Sequence, residues 1–250
     1  MTTGTAVSLE VTGGVAVVTL DNPGARNAIT LAMARSLHET WEQLGRTEGI
    51  GAVVLRGAAG TFCAGIARDV IGLQRDPAAG EAVARASLVY GAFARLAEVP
   101  VPVVAAVRGA AVGAGANLAM AADLRVVARD ARIVGGFSRL GLHPGGGFFS
   151  LAAARMGRDA AVALGVLGEE LTGERAAELG WAWRAVDDDA VEETALGLAR
   201  RAAADPELAR AAISSFRLEA GPPPLSWPAA VELERGRQMW TFRRLAEAES

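Results

Sequence analysis

A single cysteine, Cys63, excludes an intrachain disulfide framework and a zinc site built from several thiolates. Two histidines, His38 and His143, are too few for a His-rich metal site. The apolar run from Val99 to Val107 is too short to span a bilayer and carries two prolines. The opening residues, MTTGTAVSLEV, lack the basic stretch and long apolar core of a secretory leader, so a cytoplasmic location is expected. No basic excess is present either. The net charge of −3 argues against nucleic acid or an anionic membrane as partner, although a local basic patch can still hold a phosphate. What remains is an ordinary globular composition. The 250 residues, 51% hydrophobic and 21% charged, suffice for one large core, or a core with a helical appendage.

Along the chain, Val7 to Leu20 alternates around Gly13-Gly14 and predicts a β-hairpin. Asp21-Asn22-Pro23-Gly24 ends it with turn chemistry. Thr30 is placed to cap a helix with apolar positions Leu31, Ala34, Leu37, Trp41 and Leu44. Short buried strands are expected at 50–55, 103–107, 124–128 and 132–134. Helices are expected at 81–97, up to Ala122, and from Gly145-Gly147 through Met156. This alternation of strand, loop and helix predicts an α/β core over residues 1–186. Residues 187–250 read as helical, interrupted at Gly221-Pro222-Pro223-Pro224, with a last helix at 227–246.

Two loops of small residues each follow a buried strand. The first is Gly57-Ala-Ala-Gly-Thr-Phe-Cys-Ala-Gly-Ile66; the second is Gly109-Ala-Ala-Val-Gly-Ala-Gly-Ala-Asn117. Small residues admit a ligand close to the backbone. The second loop runs into a helix, whose first N–H groups are unpaired and can meet a developing negative charge. Such loops also occur as plain turns. Their setting decides between the two.

That setting comprises NPGARNAIT, VLRGAAGTFCAGI, PVPVVAAVRGAAVGAGANLAMAADLRV, GLHPGGG and LTGERAAELGW, in this order. Together they resemble the crotonase superfamily, the enoyl-CoA hydratase/isomerase family, from about Leu9 to Val186. The resemblance implies a spiral of ββα units carrying an acyl-CoA-binding core, then a C-terminal helical trimerisation region. It implies an acyl-CoA ligand, a homotrimer or dimer of trimers, and no cofactor beyond the coenzyme A of the substrate. It also implies an oxyanion hole made by the backbone N–H groups of Ile66, after Ala64-Gly65, and of Ala114, after Gly113. Two such donors stabilise a thioester enolate, and losing one typically costs about 3 kcal/mol. Arg26 matches a family position near the CoA phosphates; otherwise it is a solvated arginine after a turn.

The sequence departs from the family at the two glutamates that hydration uses. Asn117 and Phe137 stand in their places. Asparagine is no general base at neutral pH, and phenylalanine has no proton to transfer. Asn117 can still orient a water or bond a substrate carbonyl. His143 has the side chain best suited to proton transfer near neutrality, but the resemblance favours its neighbours Leu142 and Pro144 for substrate contact. Tyr90 lies on a helix that the resemblance places along the acyl pocket and can donate to a substrate carbonyl, but is expected as a half-buried core residue; Asp69 is expected as a surface residue favouring a helix N-terminus, Cys63 as a small buried one, and Ser138 as a surface or loop residue. Arg243 and Arg244 are either solvated charges at a helix end or ligands for CoA phosphates. The expected function is therefore a crotonase-type lyase or isomerase of acyl-CoA metabolism, with standard hydration impaired. Decarboxylation and thioester or β-diketone cleavage are further candidate reactions. The alternative is a non-catalytic acyl-CoA-binding or regulatory protein.

Overall fold

The computed structural model describes residues 7–74 and 79–221. In chain order, the first elements are β1 (Val7–Thr12), β2 (Val15–Leu20), α1 (Leu31–Arg46) and β3 (Ala52–Gly57). Next come α2 (Arg68–Gln74), α3 (Ala79–Ala94), β4 (Val103–Val107), β5 (Ala110–Val112) and α4 (Ala114–Ala121). Then follow β6 (Leu124–Ala128), β7 (Arg132–Val134), α5 (Phe148–Val162), β8 (Glu170–Thr172) and α6 (Gly173–Glu178). The described chain finishes with β9 (Arg184–Val186), α7 (Val191–Ala203) and α8 (Pro206–Ala220).

The expected hairpin is present. β1 and β2 pair antiparallel from Val7–Leu20 to Thr12–Val15, and Gly13 and Gly14 both take positive φ, as a tight two-residue turn requires. From β2 onward the large sheet is parallel, in the order β1-β2-β3-β4-β6-β9. Its central strands are near-continuous apolar runs, as strands covered on both faces should be. A smaller sheet, β5-β7-β8, stands apart from it. α1 starts where Thr30 accepts the Met33 N–H at 3.1 Å, and it buries Met33, Ala34, Leu37, Trp41 and Leu44. Trp41 Nε1 donates to the Ala92 carbonyl at 2.7 Å, which fixes α1 against α3.

Several boundaries differ from the sequence reading. The second small-residue loop is not all loop: Ala110–Val112 forms β5, pairing in parallel with β7. β8 and β9, three residues each, were not expected. The helix after Gly145-Gly147 begins at Phe148 and runs on to Val162, with a kink at Gly157. Tyr90 is not a half-buried core residue. Its neighbours Val89, Ala92, Phe93 and Leu96 take the inward stripe of the helix and its 3-10 extension, leaving Tyr90 39% exposed. The predicted helix 227–246, with Arg243 and Arg244, lies outside the described residues.

Beyond Val186, α7 packs across β3, β4 and β6. Arg108, just after β4, pairs with Asp188, and Arg56 Nη1 lies 2.6 Å from Glu192 Oε2. These pairs tie the start of α7 to the carboxyl ends of two sheet strands. No helix among the described residues is long and apolar enough to cross a membrane.

Candidate active site

The first loop is held in place from its N-terminal side by Asn27. This residue is fully buried with φ +57. Its Nδ2 donates to the carbonyls of Ala58 (2.9 Å) and Thr61 (2.8 Å), and its Oδ1 accepts the Asn22 N–H at 2.9 Å. Three bonds satisfied by one buried amide fix the loop as firmly as a short strand pairing. Asn27 was visible in the sequence only as part of NPGARNAIT; a polar residue flanked by Ala28 and Ile29 was the available signal.

The loop then runs as an extended strip between two neighbours. On one side, Ile29 N donates to Gly65 O at 2.7 Å and Ala67 N donates to Ile29 O at 3.0 Å. In this parallel bridge the amide groups of Ile66 itself face the opposite way. On the other side, Cys63 N donates to Ala110 O and Val112 N to Cys63 O, both at 3.0 Å. The second loop is thereby stitched to the first. Gly113 N donates to Val134 O at 2.9 Å, and Gly113 is the N-cap of α4, with no side-chain cap bond. Ala114 is the first helical residue, so its N–H has no partner within the helix.

Gly65 and Gly115 show why the loops must be small. A β-carbon on Gly65 would sit 2.8 Å from Val112 O and 3.8 Å from Ala114 N; one on Gly115 would meet Cys63 O at 2.3 Å. The two backbones approach each other with no room for a side chain between them.

Ile66 and Ala114 border one cavity of about 250 Å³. Ala64, Gly65, Val112, Gly113 and Asn117 line it from the two loops and α4. Gly135, Gly136 and Phe137 line it from the segment after β7, Ile71, Tyr90 and Phe93 from the helices, and Leu140, Leu142, His143 and Gly145 from the next loop. Of the site residues expected from sequence, Ile66, Ala114, Asn117, Phe137, His143, Ala64, Gly65 and Gly113 come together here. Arg26 does not line the cavity. Its side chain is exposed, and its carbonyl accepts the Ala64 N–H at 3.0 Å. Pro144, expected to face the substrate, is also absent from the lining, whereas His143 is part of it. Ile71, Phe93, Val112, Gly136 and Leu140 were not anticipated: each reads as an ordinary core or turn residue until the chain is folded.

The chemistry of the lining follows from its residues. No Asp, Glu, Lys or Arg is among the described residues that border the cavity. Asn117 is 1% exposed; its Nδ2 donates to the Gly145 carbonyl at 2.9 Å, and its Oδ1 has no hydrogen-bond partner among the described residues. It therefore anchors the Gly145 loop to α4 and holds an acceptor in reserve. Phe137 packs edge-on against buried Phe148, with ring centroids 5.1 Å apart, and Phe148 continues to Phe149 at 5.9 Å. An aromatic stack thus fills the region expected for a second carboxylate. His143 Nδ1 donates to the Pro144 carbonyl at 2.6 Å, which leaves Nε2 as its free ring nitrogen.

Cys63 is fully buried beneath the first loop. Burial pushes its thiol up to about 12, against a smaller downward pull from a backbone hydrogen bond at Gly65. A thiol so protonated is no nucleophile at neutral pH. Asp69 is exposed in the first turn of α2, and Glu81 pairs with Arg85 on α3; neither borders the cavity. At the far end of α4, Arg125 Nη1 donates to Ala122 O at 2.8 Å and Arg155 Nη2 to Met120 O at 3.4 Å. Burial, and then the charge of Arg155, pull the Arg125 pKa down. These cations complement the negative end of the helix whose N-terminus meets the cavity.

A largely parallel sheet flanked by helices, with two interlocked small-residue loops bordering one apolar cavity, defines an α/β protein with a candidate ligand site. The chain belongs to the enoyl-CoA hydratase/isomerase family, whose model matches residues 10–239. It is 39% identical over 199 residues to the 1,2-epoxyphenylacetyl-CoA isomerase of Escherichia coli K12, covering 77% of this chain and 74% of that protein. It is 36% identical over 218 residues to the "Probable enoyl-CoA hydratase EchA14" of Mycobacterium tuberculosis, covering 86% and 83%. The solved structure of an enoyl-CoA hydratase from Polaromonas sp. JS666 superposes with a TM-score of 0.85 at 26% identity, covering 93% of this chain and 90% of that one. The fold is accordingly the crotonase fold.

Proposed function

We propose that this protein binds an acyl-CoA thioester with its carbonyl oxygen between the N–H groups of Ile66 and Ala114, and stabilises the enolate formed there. The observation that carries the proposal is the pair of loops. Bound to each other through Cys63, they bring Ile66 and Ala114 to one cavity, each with a backbone N–H that has no backbone partner among the described residues. Donors fixed before the reaction need no reorganisation as charge develops, and in an apolar cavity each is worth more than in water. Backbone donors also do not depend on side-chain identity, so Ile66 and Ala114 serve as well as other residues would.

The reaction is an isomerisation or bond cleavage next to the thioester, not addition of water. Hydration needs a positioned water and groups to move its protons, and Asn117 and Phe137 supply neither. The Escherichia coli relative, an acyl-CoA isomerase by name, supports this direction. Tyr90 and His143 are the two side chains of the lining that can carry a proton to or from the substrate. Arg26 remains our candidate for the CoA phosphates. Coenzyme A enters only as part of the substrate, with no other cofactor. The protein works in the cytoplasm as a homotrimer or dimer of trimers, with region 187–250 contributing to assembly, as is usual for the family.

A second reading is favoured by one observation, the lack of any carboxylate in the described lining: a carrier or sensor that binds acyl-CoA without turning it over. One experiment separates the two. Mass-spectrometric turnover of 2-enoyl, 3-enoyl, malonyl-type and 3-oxoacyl thioesters is recorded together with the affinity for each. Product above the protein-free control establishes the enzyme and its reaction class. Tight binding without product establishes the carrier, and absence of both binding and product would sink the acyl-CoA assignment.

A further inference from the structure

We infer that the acyl group taken by this cavity is a compact six-membered ring and not an extended alkyl chain. This inference rests on the acyl-CoA reading above and names the substrate class of the same site.

Three aromatic side chains reach the cavity from two different parts of the fold. Tyr90 and Phe93 come from α3, their rings 5.9 Å apart and tilted by 46°. Phe137 comes from the segment after β7. Its outer side meets Phe148, which is 1% exposed and part of the core, so nothing can extend past Phe137 without displacing packed side chains. Tyr90 is held against the opposite loop: a β-carbon on Gly145 would lie 2.5 Å from its hydroxyl oxygen. Phe93 is held in the same way against Gly146. Both rings thus lie close against the backbone of Gly145 and Gly146, which limits their movement toward that loop.

The size admits such a ring. An apolar cavity of roughly 150 Å³ stays dry and accepts benzene. The present cavity, about 250 Å³, holds a ring of that kind with room left for the thioester carbonyl at its Ile66–Ala114 edge. The backbone of Gly113, Gly135 and Gly136 adds flat surface that suits the face of a ring, and the aliphatic side chains of Ile71, Val112, Leu140 and Leu142 complete the apolar lining. Aromatic pairs in offset or edge contact contribute roughly a two- to twelvefold preference each beyond the area they bury. An alkyl chain gains nothing from that geometry.

The test compares phenylacetyl-CoA with octanoyl-CoA by calorimetric titration of the intact protein, with free coenzyme A as reference. Both acyl groups have eight carbons, but transfer from water favours the alkyl chain, so a preference for phenylacetyl-CoA reads shape and not hydrophobicity. Phenylacetyl-CoA should bind about tenfold more tightly than octanoyl-CoA. In Tyr90→Leu and in Phe137→Leu that ratio should fall to about twofold or less. Both changes keep an apolar side chain of similar bulk, and circular dichroism verifies that each variant is folded. A ratio of one or below in the parent protein would overturn the ring assignment, as would a tenfold ratio that both variants retain. If neither thioester binds more tightly than free coenzyme A, the acyl-CoA reading itself fails and takes this inference with it.

Discussion

Gly65→Ala should force apart the two loops that face the cavity. Gly65 has φ +94, a backbone conformation that costs a side chain roughly 1–3 kcal/mol. The new β-carbon would also lie 2.8 Å from the Val112 carbonyl oxygen. That carbonyl belongs to backbone tied to Cys63, so relief requires the two loops to separate, at a further cost of about 1–3 kcal/mol. A total near 3 kcal/mol lowers Tm by roughly 6–12 °C for a domain of this size. Ile66 follows Gly65 directly, so its N–H moves with the loop. Loss of one such donor typically costs about 100-fold. The matched control is Gly60→Ala in the same loop. Gly60 has φ +69 but nothing within 4 Å of the added β-carbon, so it carries the backbone cost alone, about 1 kcal/mol. Calorimetric melting and titration with a 3-oxoacyl-CoA, which enolises readily, read both effects. If Gly65→Ala matches Gly60→Ala in Tm and in affinity, the loops do not depend on their close approach and the reasoning is wrong.

Asn117→Glu combined with Phe137→Glu should restore paired acid–base groups and raise hydration of a short 2-enoyl-CoA by at least about 100-fold. A folded, acyl-CoA-binding double variant that stays inert would show that these positions do not face the substrate as assigned. The hydrogen bond from Arg108 holds the Asp188 carboxyl below its ordinary range. Its stabilisation is fully present above the unfolded carboxylate value of about 3.9 and is lost as pH falls through the depressed folded value. Chemical denaturation should therefore show Asp188→Asn less stable than the parent at neutral pH, with the gap closing only in strong acid; an equal gap in both conditions refutes the linkage. Cys63, buried and raised to about 12, should resist iodoacetamide in the native protein at mildly alkaline pH and react once denaturant is added. Rapid alkylation under native conditions would mean that the first loop opens.

Much of the molecule could be read before folding because its signals are local. Gly13-Gly14 dictates a hairpin, Thr30 a helix start, and the valine runs buried strands, and all three are present within a residue or two of where the sequence put them. What escaped was set by partners distant in sequence. Ala110–Val112 carries no alternation; it becomes a strand because Cys63 on one side and β7 on the other offer it hydrogen bonds. The single-turn lengths of β8 and β9 leave no period to detect. Tyr90 was misplaced because its helix shows only weak amphipathicity, so the inward stripe through Val89, Phe93 and Leu96 emerges only once α1 lies against it. The site split along the same line. Gly113-Ala114 and Gly65-Ile66 were legible as motifs, whereas the aromatic wall of Tyr90, Phe93 and Phe137 exists only after two distant segments meet.

The interlocked loops also bear on how such proteins diverge. Everything proposed to hold the anion is main chain, anchored by Asn27 and the Cys63 bridges, whereas Asn117 and Phe137 contribute only what projects from the backbone. Two codons can therefore rewrite the proton chemistry while the anion cradle is inherited unchanged. A lineage can lose one reaction and acquire another without ever passing through a protein that cannot hold its substrate.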